Sequence, residues 1–366
     1  MPITQIAVSG YRSVQSCRFP IAPLTVLVGK NGVGKTNLYR ALRLLSSAAD
    51  GCTTLRVAEE GGLQSALWAG TDKKTASTSI SLAATFEDFE YRIEIGSPGN
   101  DEPALKSEPQ TLGEQLAYRT KGAGILLLDR TQSDVTLRDV DGLLCDFPGT
   151  LLPSETALST FRDVARFPAL EQIRRELAAL RFYHHFETGP DAPIRNGALA
   201  IATPTLSEDA HDLAAVLATL YYIKKNTAVI SQAVSEAFPG AALTLDVEGG
   251  RANFALKFPG QRRPFAAHEL SDGTLRYLCL VGALCGYRLP GMICLNEPES
   301  SLHPDLLPAL AGLIARASRR TRVWVVTHSE DLGTELERLT GVRTSSVTVR
   351  DGATTISAFR KTAVAR

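Results

Sequence analysis

Hydrophobic and polar positions along the chain follow a few local rhythms. Alternation opens it: Ile3, Ile6 and Val8, then Tyr11-Arg12-Ser13, then Cys17 and Phe19. This pattern predicts a β-hairpin or meander. Ser79 to Ile95 alternates again and predicts two antiparallel strands. Ala117 to Leu144 predicts further strands, with Ile125 to Leu128 the most apolar stretch. Short continuous apolar runs at Leu24–Val28 and Met292–Leu295 predict buried strands, and Val323–Val326 predicts a further strand. A helical period runs through Asn37–Ala48, Leu275–Cys285 and Leu306–Arg320. It also marks Thr156–Phe182, with a break expected near Pro168, and Leu206–Phe238, as one or two helices with Ser207 as the cap. Leu243–Val247 and Asn253–Phe258 are strands joined at Glu248-Gly249-Gly250, and Ser345–Phe359 is a closing hairpin around Asp351-Gly352. Gly51–Gly70 is turn-rich and ambiguous, while Ser97–Pro109 and Gly189–Thr205 are loops. No fixed-period repeat and no sustained heptad is present, so a long coiled-coil arm is not expected.

Composition narrows the function. The 366 residues carry 39 Lys+Arg against 39 Asp+Glu, a net charge of zero. This excludes binding to nucleic acid or acidic membranes by bulk charge. An apolar share of 44% is enough for a sizeable core. No apolar run approaches the roughly 20 residues of a bilayer span; Tyr277–Cys285 is far too short. The N-terminus has neither the basic region nor the apolar region of a signal peptide. The six cysteines are scattered without a Cys-x-x-Cys pair, as expected for reduced thiols of a cytoplasmic protein.

Gly29 to Thr36 reads G-x-x-x-x-G-K-T, with an apolar strand before it and a helix after it. Its glycines let backbone N–H groups turn inward on phosphate oxygens, and the helix N-terminus adds partial positive charge. Gly29, Asn31, Gly32, Gly34, Lys35, Thr36 and Asn37 are the candidate nucleotide ligands; Lys35 would neutralise phosphate and Thr36 would bind Mg²⁺. Ser271-Asp272-Gly273-Thr274 opens a second helix and offers a second anion site through Ser271 and Gly273. Such a site is redundant within one monomer and makes sense if it caps the γ-phosphate held by another protomer. The strand Met292–Leu295 ends in Asn296-Glu297. Glu297 would polarise or deprotonate the attacking water, and Asn296 would support the Mg²⁺ water shell. The turn Ser300-Ser301-Leu302-His303 follows, and His328 ends the next strand, where it would sense the γ-phosphate.

This order of motifs resembles the ABC-class ATPase heads. Lys35 and Ser271 stand 236 positions apart, a spacing longer than in transporter heads and far shorter than in the long-armed chromosome-maintenance heads. With the segments "GYRSVQSCRFPIAPLTVLVGKNGVGKTNL", "LSEDAHDLAAVLATL" and "LNEPESSLHPDLLPAL", the chain resembles RecF-like and SMC-type AAA family ATPases of the AAA_21 type. The resemblance implies an α/β P-loop NTPase fold, a two-lobed ABC-ATPase head. Residues 1–70 would hold the phosphate loop, 71–265 an inserted region including lobe II, and 266–366 the signature helix, acidic strand, turn, switch histidine and closing strands. It implies ATP and Mg²⁺ as ligands, a homodimer sandwiching two ATP molecules, ATP hydrolysis, and work in DNA maintenance or anti-phage defence. Arg12 would contact phosphate or base. The alternative is a nucleotide-gated protein that switches a separately encoded nuclease or toxin. One departure stands out: Asn296 occupies the place of an aspartate, which removes a full negative charge from the Mg²⁺ shell; with Glu297 kept, hydrolysis is expected, but slow.

Weaker signals remain. Arg162, Arg166, Arg174, Arg175 and Arg181 decorate one predicted helical stretch, and Arg316, Arg319, Arg320 and Arg322 form a second cluster; either would suit a phosphate backbone. The glutamine that reaches Mg²⁺ in related heads is not singled out among Gln64, Gln110 and Gln115, all placed in loops. His184-His185 and His211 lack the partner spacing of a metal site.

Overall fold

The computed structural model describes residues 1–68, 70, 77–97, 108–120, 124–223 and 227–357. In chain order the elements are β1 (Gln5–Tyr11), β2 (Val14–Pro20), β3 (Leu24–Val28), α1 (Lys35–Ser46), α2 (Thr53–Glu59), α3 (Leu63–Ala66), β4 (Ser79–Thr85), β5 (Phe89–Gly96), β6 (Gln110–Tyr118), β7 (Ile125–Thr131), β8 (Asp134–Arg138) and β9 (Leu144–Phe147). Then follow α4 (Ala157–Thr160), α5 (Pro168–Ala178), β10 (Arg181–Tyr183), β11 (Ala198–Leu199), α6 (Leu213–Ala218), α7 (Thr227–Ala237), β12 (Ala242–Glu248), β13 (Arg251–Lys257) and β14 (Phe265–Ala266). The chain closes with α8 (Asp272–Cys285), β15 (Met292–Asn296), α9 (Leu307–Ala317), β16 (Arg322–Thr327), α10 (Glu330–Thr340), β17 (Ser345–Arg350) and β18 (Ala353–Ile356). The chain divides into two compact units. One comprises residues 1–22, 29–180 and 345–366; the other comprises 23–28 and 181–344.

In the first unit, an antiparallel sheet of eight strands, counted among the described residues, runs in the order β2-β1-β4-β5-β6-β7-β8-β9. Alternation in β1, β4 and β5 buries Ile6, Val8, Ile80, Leu82, Tyr91 and Ile93 on one face, the pattern expected of a sheet with one packed face. A buried polar network ties this sheet to α4. Glu114 accepts from the Tyr91 hydroxyl at 2.9 Å and from the N–H groups of Ala157 and Leu158, with the Arg130 guanidinium at 3.6 Å. The β17–β18 hairpin is antiparallel, as its Asp351-Gly352 turn predicts; the end of that predicted segment lies outside the described residues, as does most of the 97–109 loop.

In the second unit, β10, β15, β16 and β3 are consecutive neighbours and all pair in parallel. Residues of β15 are buried throughout, and β16 nearly so, because helices cover both faces of such a sheet. The core gathers Leu213, Leu217, Tyr277, Leu278, Leu310, Leu313, Ile293 and Val325. No helix of the described residues is long and apolar enough to cross a membrane.

The break expected near Pro168 is present: α4 ends at Thr160, and Pro168 opens α5 at its first turn, where no N–H is needed. Other local expectations are corrected. Phe182 belongs to strand β10. Ser207 does not cap a helix: its N–H and hydroxyl bond the carboxylate of Asp212, which is the residue preceding α6. The apolar run Ile125 to Leu128 is only partly internal, because Ile125 and Leu126 are exposed and Leu128 is buried. Gly51–Gly70 resolves into two short helices, α2 and α3.

Candidate functional site

In the first unit, the phosphate-loop segment follows β3 directly in the chain and ends in α1. Lys35 is buried, and its ammonium donates to the carbonyls of Gly29 at 2.6 Å and Lys30 at 2.8 Å, inside its own loop. Gly34 precedes α1 at φ +92°, and a Cβ there would come within 2.0 Å of Thr354 Oγ1 and 2.4 Å of Ser13 Oγ. Only glycine fits. The same hydroxyls brace the loop: Thr354 Oγ1 donates to the Val33 carbonyl at 2.9 Å, and Asn37 Nδ2 donates to Ser13 Oγ at 2.7 Å. No side chain caps α1, and the Asn37 N–H donates to the Gly34 carbonyl at 3.0 Å. Thr36 and Asn37 are half-buried; Asn31 and Gly32 are exposed.

Arg12 lies in the β1–β2 turn at φ +48°. Its guanidinium is engaged by Glu60, Nε at 3.0 Å and a terminal nitrogen at 2.8 Å, and lies over the Tyr11 ring. Ser13, and not Arg12, is the residue of this turn that bonds the start of α1.

In the second unit, the parallel register aligns the carboxyl ends of the strands: Tyr183 opposite Leu295, Asn296 opposite Val326, Thr327 opposite Val28. Ligands of open parallel sheets bind along this edge. Asn296 is buried, and its Nδ2 lies 2.7 Å from His184 Nδ1. Its Oδ1 is also buried and has no hydrogen-bond partner among the described residues. A neutral oxygen acceptor without a partner fits a hydrated divalent cation. Glu297 turns the chain at φ +51°, its N–H held by the Val326 carbonyl at 2.7 Å, and its side chain stays partly open to solvent. His328 Nδ1 stands 3.9 Å from Glu297 Oε1 and 3.2 Å from Glu299 Oε1. Glu299 is buried. Its Oε1 accepts from the Thr327 hydroxyl and from the N–H groups of His328 at 3.1 Å and Ser329 at 3.3 Å.

Ser271 caps α8, accepting from the Thr274 N–H at 3.3 Å. The Gly273 Cα faces the turn after Glu297: a Cβ there would lie 3.2 Å from the Ser301 carbonyl. Arg276 spans the same region, reaching the Ser300 carbonyl at 3.4 Å and His185 Nδ1 at 3.1 Å. The structure thus brings Asn296, Glu297 and His328 to one strand edge, with Gly273 against the turn that follows Glu297.

Sequence reasoning alone misses Glu299 and sets His184 aside. An acid two places after Glu297 is a signal for the first; nothing local marks the second. Gln64 lies in α3 and Gln110 and Gln115 in β6, so none of these occupies a loop. Arg162 and Arg166 precede α5 and Arg181 follows it, so the five arginines do not share one helix. Arg174 and Arg175 are paired with Glu171, and Arg316 with Glu236. No cluster of metal-binding side chains occurs among the described residues.

The model of an AAA domain family, described as "AAA domain, putative AbiEii toxin, Type IV TA system", matches residues 138–332. That of the family "AAA ATPase domain" matches residues 1–136. No curated protein matches the sequence. Among solved structures, the SmcHead bound to the C-winged helix domain of ScpA is similar at 14% identity and a TM-score of 0.53, covering 98% of both chains. The Smc head domain with an extended coiled coil from Pyrococcus furiosus, bound to the C-terminal domain of ScpA, is similar at 13% identity and a TM-score of 0.54, covering 98% of this chain and 96% of that one. Such identities show the fold alone: an SMC-head-like ABC-ATPase fold of the P-loop class. With more than half of its length matched by the first model, the chain belongs to that AAA domain family of ATPases.

Proposed function

We propose that the protein binds and hydrolyses ATP, slowly, in a homodimer that sandwiches two nucleotides, and that it acts in DNA maintenance or anti-phage defence. The observation that carries this reading is the strand edge where Glu297 and His328 stand 3.9 Å apart, next to Asn296, whose buried side-chain oxygen has no partner among the described residues. Lys35 neutralises the β- and γ-phosphates, and the loop N–H groups hold their oxygens. The Thr36 hydroxyl and the Asn296 oxygen are the groups offered to Mg²⁺, which when bound supplies positive charge against the phosphates. Glu297 orients and polarises the attacking water, and His328 senses the γ-phosphate. Ser271 and Gly273 act on nucleotide held by the partner protomer, through the N-terminus of α8. The uncharged Asn296 weakens Mg²⁺ binding relative to a carboxylate, which accounts for slow turnover.

A second reading, a nucleotide-gated switch for a separately encoded nuclease or toxin, is favoured by the match of residues 138–332 to a family associated with a type IV toxin–antitoxin system. Turnover measured with and without single- and double-stranded DNA across a salt series separates the two. Salt-sensitive stimulation supports the first reading, because phosphate contacts release counterions. Turnover indifferent to DNA, with ATP-dependent co-purification of an effector, supports the second.

A further inference from the structure

We propose that His184 is a positioning residue that holds the side-chain amide of Asn296 with its carbonyl oxygen turned toward the metal. The inference rests on the Mg²⁺ role proposed for Asn296. Parallel pairing of β10 with β15 sets Tyr183 beside Leu295, so His184 and Asn296 leave the sheet edge as neighbours. His184 Nδ1 lies 2.7 Å from Asn296 Nδ2. The same Nδ1 lies 3.5 Å from the Asn296 backbone carbonyl. Because an amide nitrogen can only donate, we place the lone pair on Nδ1 and the ring proton on Nε2. The other end of the amide, Oδ1, is buried and has no hydrogen-bond partner among the described residues, in a side chain only 1% exposed.

The chemistry explains why an orienting group is needed. A carboxylate presents equivalent oxygens, and either can face a cation. An amide presents one acceptor and one double donor, and half a turn about its last bond would aim N–H groups at the cation. Asn296 therefore needs an acceptor on its nitrogen side, and His184 is that acceptor. Side chains that orient a metal ligand in this way affect affinity without touching the ion.

The test uses the full chain. Long-range ¹H–¹⁵N spectra of the imidazoles, without nucleotide and assigned by the resonance missing from His184→Gln, are expected to show His184 as the Nε2–H tautomer. An Nδ1–H tautomer overturns the proposal. Mg²⁺ is then titrated calorimetrically into protein saturated with a non-hydrolysable ATP analogue. His184→Phe is expected to weaken Mg²⁺ binding about tenfold, and to have little effect when Asn296 is already replaced by Asp. Equal losses in both backgrounds, or none with Asn296 present, overturn it. Failure of the wild type to bind Mg²⁺ with nucleotide sinks the metal-site reading, while the tautomer spectrum still decides the amide's orientation.

Discussion

The imidazole Nδ1 of His328 lies closer to Glu299 Oε1, at 3.2 Å, than to Glu297 Oε1, at 3.9 Å. Glu299 also receives the Thr327 hydroxyl and two backbone N–H groups, so one buried carboxylate sets the path of the chain after β16. Glu299→Ala would leave the Thr327 hydroxyl and the His328 N–H unpaired, while the Ser329 N–H keeps Thr327 Oγ1 at 2.9 Å. Hydrogen bonds to a charged group contribute about 1.5–3 kcal/mol each, and a loss of about 3 kcal/mol in urea unfolding is expected, with turnover reduced. Glu299→Gln, which keeps an acceptor, should lose less on both measures.

Thr354 braces the phosphate loop from the β17–β18 hairpin through Val33 and Ser13. Thr354→Val keeps the shape and removes the hydroxyl. Two lost hydrogen bonds of about 1 kcal/mol each predict ATP affinity weaker by up to about 30-fold, read by equilibrium binding, although residue 354 is not among the proposed nucleotide ligands.

Arg130 and Glu114 are both fully buried, and the guanidinium also donates to the carbonyls of Gln132, Leu152 and Glu155. Removing one partner of a buried pair strands the other charge. Arg130→Met should cost about 3–5 kcal/mol, measured by denaturant unfolding.

Hydrogen bonding from Arg174, reinforced by Arg175, holds the Glu171 carboxyl down at about 2, against an ordinary value of 4.5. A carboxylate depressed in the folded state stabilises it above the unfolded value, and that contribution is lost as pH falls through the folded one. Glu171→Gln should therefore destabilise the protein at neutral pH. Its deficit relative to wild type should shrink between about pH 4.5 and pH 2, as followed by unfolding at stepped pH.

Legibility in the sequence tracked locality. The phosphate loop, the cap at Ser271 and the strand before Asn296 depend on neighbours in the chain, and their patterns state them. Strand order depends on pairings far apart: β10 joins β15 across more than a hundred residues. The contact of His184 with Asn296, separated by 112 positions, therefore could not be read from either segment. Ser207 caps no helix because both of its donors are taken by the Asp212 carboxylate, five residues on. Arg12 has the position expected of a nucleotide contact, yet Glu60, 48 residues on, engages its guanidinium. Exposure of Ile125 and Leu126 follows from their place at the start of β7, which hydrophobicity alone does not mark.

The central proposal is that ATP closes two copies of this chain on each other and that Glu297 then drives hydrolysis. Sedimentation velocity of Glu297→Gln with saturating Mg-ATP tests it most directly. The expected result is a dimer that persists with ATP, reverts to monomer without it, and shows no turnover. A Glu297→Gln protein that stays monomeric at saturating Mg-ATP would contradict it.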